Sequence, residues 1–117
     1  MTDERFEVRD EPEASRYVLI DHESADLVIG EESYVDVRAD SGPQRVLFHT
    51  GVSEDYGGQG LASFLVRHVV DDVVAHGYAI VPVCPYVVAW LPKHPEYDQH
   101  VVKPGTAHLR AVAARQG

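Results

Sequence analysis

The chain has 117 residues, enough to close one hydrophobic core, and its 44% apolar and 25% charged residues are those of a globular domain. With 19 acidic residues against 10 lysines and arginines, the formal charge is −9, and the basic residues are scattered. That balance excludes a basic stripe for DNA or RNA and disfavours an acidic membrane surface, so neither is an expected partner. A polyanionic ligand is still compatible if backbone amides and a few local cations hold it. Cys84 is the single cysteine, which rules out an internal disulfide and points to a reducing compartment. The opening MTDERFEVRD lacks the apolar core of a signal peptide, and no apolar run is long enough to cross a bilayer. The expected location is the cytoplasm.

In chain order, the alternation over residues 5–9 predicts a short first strand, broken at Asp10-Glu11-Pro12-Glu13. Residues 16–20 read as a second strand, and Asp21-His22-Glu23-Ser24 as a hairpin turn. Residues 25–29 and 34–38 are both β-rich, and form either one strand interrupted at Gly30-Glu31-Glu32 or two. After a turn at Asp40-Ser41-Gly42-Pro43, residues 45–50 form the strand that feeds a glycine-rich turn. From Leu61 to about His76 an amphipathic helix follows, with Leu61, Phe64, Leu65, Val69, Val70 and Val73 on its apolar face and Gly77 as its left-handed stop. Residues 78–83 are a short strand in which Pro82 implies an edge position or the end of pairing. Residues 86–91 predict a short helix, and 107–115 a weak, frayed one. A strand–helix–strand connection of this length suits a parallel crossover. The fold class is α+β: an antiparallel meander, then a helix, a parallel strand and a short helix.

The glycine turn is where chemistry is expected. Gly57, Gly58 and Gly60 strip side chains from the entrance of the helix, whose first N–H groups lack internal acceptors and carry the positive end of the dipole. An anion can approach such a backbone closely; the plainer reading is an ordinary corner. Two familiar phosphate loops fail. Leu61-Ala62 follows Gly60 where a P-loop needs Lys-Ser or Lys-Thr, and no acid ends the strand at 79–83 as a dinucleotide fingerprint requires.

The stretch Glu54 to Ala62, EDYGGQGLA, resembles the acetyl-CoA loop of the GNAT N-acetyltransferase superfamily, in which Gln or Arg and two variable residues precede Gly, any residue, then Gly or Ala. Gly58 and Gly60 match the small positions, whereas Asp55 stands where Gln or Arg is usual and Gly57 where many members carry Arg. Phe48-His49-Thr50, Val81-Pro82-Val83-Cys84-Pro85-Tyr86 and His94-Pro95-Glu96-Tyr97 resemble the compact, YjdJ-like branch of small single-domain members. The resemblance runs from about Arg5 to Tyr97, giving one GNAT-like domain over 1–103 and a C-terminal tail with helical character over 104–117.

The resemblance implies an acetyl-CoA cleft where the strand ending near Val52 splays from the strand at 79–83. Backbone amides of Gly57, Gly58, Gln59, Gly60, Leu61 and Ala62 would hold the pyrophosphate, and the backbone near Val52 the pantetheine. Tyr86 or Tyr97 would pack on pantetheine or adenine, and Lys93 or His94 would meet the ribose phosphate. It also implies catalysis at Cys84, with His49 as the base that activates it. The plainer readings are a small buried side chain for Cys84 and a hydrogen-bonded core histidine for His49. Glu54 and Asp55 read as solvated turn residues. No metal is expected, because the 7 histidines include no His-Glu-x-x-His and no Cys/His cluster. The activity implied is acetyl transfer from acetyl-CoA to a small-molecule or peptide amine. The alternatives are a non-catalytic acyl-CoA-binding module and an interaction domain without nucleotide affinity. The assembly is left open between monomer and weak homodimer.

Overall fold

Five strands form one sheet in chain order, β1-β2-β3-β4-β5, in a computed structural model that describes residues 5–116. Residues 1–4 and 117, which belong to the domain and tail in the sequence reading, lie outside the described residues. The strands are β1 (Phe6–Glu11), β2 (Arg16–Asp21), β3 (Leu27–Ala39), β4 (Gly42–Val52) and β5 (Ala79–Pro82). The first four pair antiparallel, and β5 pairs parallel to β4 after the crossover through α1 (Leu61–Ala75). Two shorter helices follow, α2 (Pro85–Trp90) and α3 (Thr106–Gln116).

The two β-rich segments around Gly30-Glu31-Glu32 are one 13-residue strand, with Ile29 bulged where Leu19 and Ile20 face Gly30 and Val28. Gly42 and Pro43 belong to β4, because the hairpin closes in the two residues Asp40-Ser41. Pro82 ends β5, the last strand of the sheet, so its missing N–H disturbs no interior ladder.

The sheet is covered on both faces. On one, Leu61, Leu65, Val66, Val69, Val70 and Val73 of α1 are buried against Leu19, Tyr34, Leu47 and Ile80; Phe64, expected among them, is only partly buried. On the other, Val112 of α3 closes over Val46 and Val81. Helix α3 is docked rather than frayed: Arg115 donates to the Ala14 carbonyl at 2.7 Å, and the His108 ring lies 2.7 Å from the Gln44 amide oxygen.

Apart from one oxygen of Glu32, the buried side-chain polar atoms of the described residues have hydrogen-bond partners. The Arg45 guanidinium donates to both Asp36 oxygens at 2.7 and 3.0 Å and to the Tyr17 hydroxyl at 2.7 Å, and lies 3.9 Å from the centre of the Tyr34 ring. Tyr17 in turn donates to Asp72 of α1 at 2.6 Å, so one buried cation ties β2, β3, β4 and α1 together. Its side chain is 10% exposed and that of Asp36 39%. Removing the carboxylate therefore strands a shielded charge, although solvent reaching Asp36 moderates the loss. Asp36→Ala is expected to lose about 2 kcal/mol in urea unfolding; an unchanged midpoint would show that Asp10, 3.8 Å from Arg45, replaces it.

Candidate active site

Pairing between β4 and β5 runs from Gln44–Ala79 to Leu47–Pro82 and stops. The Leu47 carbonyl accepts both the Val83 N–H (2.9 Å) and the Cys84 N–H (3.0 Å), turning the chain out of the sheet into α2. The edge of β4 from Phe48 to Val52 is left without a strand partner on that side. This is the splay expected from sequence.

At the far end of β4 the glycine turn enters α1. Gly58 and Gly60 have φ of +80° and +72°, and a side chain on either would meet no atom within 4 Å. Backbone conformation, not crowding by the protein, therefore calls for glycine there. Gly60 is the N-cap and no side chain caps the helix, so the first N–H groups of α1 are free to receive an anion. Tyr56 anchors the turn by donating to Asp21 at 2.5 Å. Arg5, and then this hydroxyl, hold the Asp21 carboxyl well below the usual carboxylate range.

A pocket of about 200 Å³ opens here, lined by Val52, Gly57, Gly58, Gly60, Leu61, Ala62 and Tyr86 together with Ser53, Glu54, Tyr56 and Ser63. Seven of the eleven residues proposed from sequence to hold the cofactor thus converge. Ser63 also receives the Trp90 indole N–H at 2.8 Å, which fixes α2 beside the pocket. Gln59 is exposed in the turn and does not line it.

Lys93, His94 and Tyr97 are not brought to this pocket. Lys93 is exposed, and His94 stacks on Trp90 with ring centres 3.6 Å apart. Tyr97 is 7% exposed, donates to Asp71 and accepts from Arg67 at 3.1 Å. Burial pushes its phenol up to about 12. A larger cavity of about 900 Å³, lined by Val83, Val88, Leu91, Val101 and Leu109 among others, shares no residue with the glycine pocket.

The proposed pair Cys84 and His49 is separated. Cys84 is buried at the start of α2 and packs in the α1-side core. The side chain of His49 is 55% exposed, with Nε2 3.6 Å from Glu31, and no hydrogen bond links it to Cys84. The sulfur meets Thr50 instead, with Oγ1 2.9 Å from Sγ. Thr50 also donates to Oε1 of Glu32, its cross-strand partner on β3. Glu32 is fully buried, and its Oε2 has no hydrogen-bond partner. Burial pushes this carboxyl up to about 8, against the opposing pull of Thr50 and the His49 backbone.

Thr50 and Glu32 were missed from sequence. The available signal was alternation: counting back by two from Tyr34 places Glu32 on the core face of β3.

A sheet that splays beside a glycine-turned helix defines an N-acetyltransferase fold. The profile described as GCN5-related N-acetyltransferase matches residues 16–101, more than two thirds of the chain, and the chain belongs to that family. Among solved structures it is similar to a GCN5-like N-acetyltransferase candidate from Staphylococcus aureus, at 23% identity and a TM-score of 0.61 over 90% of this chain and 96% of that one. It is also similar to a ribosomal-protein-alanine N-acetyltransferase from Brucella melitensis biovar Abortus 2308, at 19% identity and a TM-score of 0.50, covering 75% of this chain and 64% of the other. At these identities the likeness is one of fold. A sequence search of curated proteins finds no match.

The buried carboxyl has a measurable consequence. Glu32 keeps its proton in the folded state until about pH 8, whereas its unfolded counterpart ionises near 4.5. The stability that the folded state gains from holding this proton is complete below the lower value and lost as pH rises to the upper one. Relative to Glu32→Gln, which has no charge to bury, the wild-type protein should lose stability across that window by a few kcal/mol and then hold a constant gap. Urea unfolding of both at several pH values reads this directly, and a gap independent of pH would contradict it.

Proposed function

We propose that this protein transfers the acetyl group of acetyl-CoA to an amine, with Cys84 as the residue that receives and passes on the group. The observation that carries the reading is the glycine-turn pocket beside the β4–β5 splay, with Cys84 at the point where the strands part. The residues fit the donor: the uncapped N–H groups of α1 and the glycine turn suit a pyrophosphate, and the unpaired edge of β4 offers backbone groups to an amide-bearing arm. Acetyl-CoA supplies an activated thioester carbonyl there.

The Cys84 thiolate forms the S–C bond to the acetyl group as the carbon–sulfur bond to CoA breaks, and the CoA thiolate takes up one proton. The acceptor amine then forms the N–C bond while the Cys84 S–C bond breaks; the amine proton leaves and the thiol is restored. The acceptor class, a small-molecule or peptide amine, is part of the proposal, as are a cytoplasmic location and a monomeric or weakly dimeric state.

The decisive measurement is a titration with CoA and acetyl-CoA, followed by the intact mass of the acetyl-CoA sample. We expect micromolar binding and the gain of one acetyl group, abolished in Cys84→Ser. Binding without mass gain, with CoA released only when an amine is added, would replace the covalent route by direct transfer. Binding without release across an amine screen would leave an acyl-CoA-binding module, and absence of binding would overturn the whole reading.

Electrostatics adds a second check. Glu54 lines the pocket and is exposed in a protein of formal charge −9, so it opposes a phosphate. Glu54→Gln should tighten CoA binding about two- to five-fold at low salt, with the gain shrinking as salt screens the charge. A gain insensitive to salt would point to a steric cause.

A further inference from the structure

We propose that Glu32 is the proton acceptor for the Cys84 thiol, acting through the Thr50 hydroxyl. The inference rests on the reading of Cys84 as the acetyl-receiving residue, and deepens it. Three observations carry it. The Thr50 hydroxyl lies 2.9 Å from the sulfur and donates to Glu32 Oε1. Its single proton is thereby committed to the carboxylate, leaving its oxygen lone pairs to accept the S–H. Glu32 is fully buried yet keeps Oε2 without any partner, which a purely structural carboxylate rarely does. No side-chain cation among the described residues pairs with it.

The groups around this chain of contacts are few. Glu31, the next residue on β3, adds a negative charge that further opposes ionisation of Glu32. Arg16 of β2 binds that neighbour at 2.9 Å, and His49 of β4 approaches it at 3.6 Å. On the Glu32 side of the sheet the Cys84 thiol packs against Thr50 at the start of α2, while the buried phenols of Tyr17, opposite Glu32 on β2, and Tyr34 donate to Asp72 and Asp10.

The transfer balances without outside reactants. The sulfur–hydrogen bond breaks as that proton joins the Thr50 oxygen, and the original Thr50 proton passes to Glu32 Oε1. In the ionised form of Glu32, whose share grows as pH approaches about 8, a carboxylate and a thiol become a carboxylic acid and a thiolate, with net charge unchanged. No water has to reach a cysteine that is 4% exposed. Glu32 is thus a positioning and proton-holding residue. It does not touch the substrate.

Because Cys84 is the only cysteine, isotope labelling at cysteine and glutamate gives one cysteine signal whose pH profile can be followed by NMR in the full chain without acetyl-CoA. In the wild type the Cys84 signal should move in a step shared with the Glu32 carboxyl, as coupled groups do. Thr50→Ser should keep the shared step. Thr50→Val and Glu32→Gln should lose it. Retention of the shared step in Thr50→Val would mean that the two groups feel each other only through charge, and would overturn the relay; so would an unchanged Cys84 profile in Glu32→Gln. If Glu32→Gln does not fold, the two Thr50 variants decide. The readout needs no turnover, so a failure of acetyl transfer leaves it interpretable, and a failure of the relay leaves the acetyl-CoA titration standing.

Discussion

The site depends on one carbonyl. Leu47 O accepts two N–H groups, from Val83 and Cys84, where a continuing parallel ladder would have spread those bonds along β4. Pro82 just before and Pro85 just after make a longer β5 difficult, since neither has an N–H to donate and Cys84 is confined to extended backbone by the proline that follows it. The strands must part. Parting them opens the β4 edge and delivers Cys84 to the fork, and it starts α2, whose Trp90 reaches back to Ser63 at the mouth of the glycine pocket.

The same region holds the feature that stability alone would not select. A glutamine at position 32 would accept the Thr50 hydrogen bond without a charge to bury, whereas glutamate there opposes folding as pH rises. Elsewhere the fold treats buried polar groups differently. Arg45 is surrounded by Asp36, Tyr17 and the face of Tyr34, and Asp21 receives Arg5 and Tyr56. Glu32, with an orphan oxygen and no cation, stands apart from these satisfied networks. Local inconsistency of this kind is where function is to be sought.

Much of this was legible in the sequence because it rests on local rules. Glycines before an apolar 3.6-residue period announced the turn and α1; alternation and turn residues announced the hairpins; Pro82 announced the end of β5. Seven residues that line the glycine pocket were among those singled out in the sequence, six around the turn and Tyr86 across the fork. Lys93, His94 and Tyr97 lie away from this pocket, and the partners of His94 and Tyr97 are set by packing rather than by local pattern. Nothing local shows that Trp90 captures the His94 ring, or that Asp71 and Arg67 on the nominally polar side of α1 satisfy the Tyr97 hydroxyl. Residues 107–115 read as a weak, frayed helix, yet Val112 packs on Val46 and Val81 and Arg115 donates to the Ala14 carbonyl, which docks it.

The misplacement of His49 has a sharper cause. Leu47 faces α1, so strict alternation would put His49 on the same face and Thr50 on the other. The register shows otherwise: Tyr34 pairs with Leu47 and Ser33 with His49, leaving Phe48 as an extra residue. One inserted residue reverses the parity of everything beyond it. His49 is thereby turned away toward Glu31, and Thr50 is set between Cys84 and Glu32. A bulge has no reliable signature in a single sequence, because the extra residue is defined by what lies across from it on β3. Here it decides which side chain meets the thiol: a hydroxyl backed by a buried carboxyl rather than an imidazole. The chemistry of the fork is therefore set by strand register as much as by residue type, and the two bulges, at Ile29 and Phe48, flank Glu32 and Thr50 on their own strands.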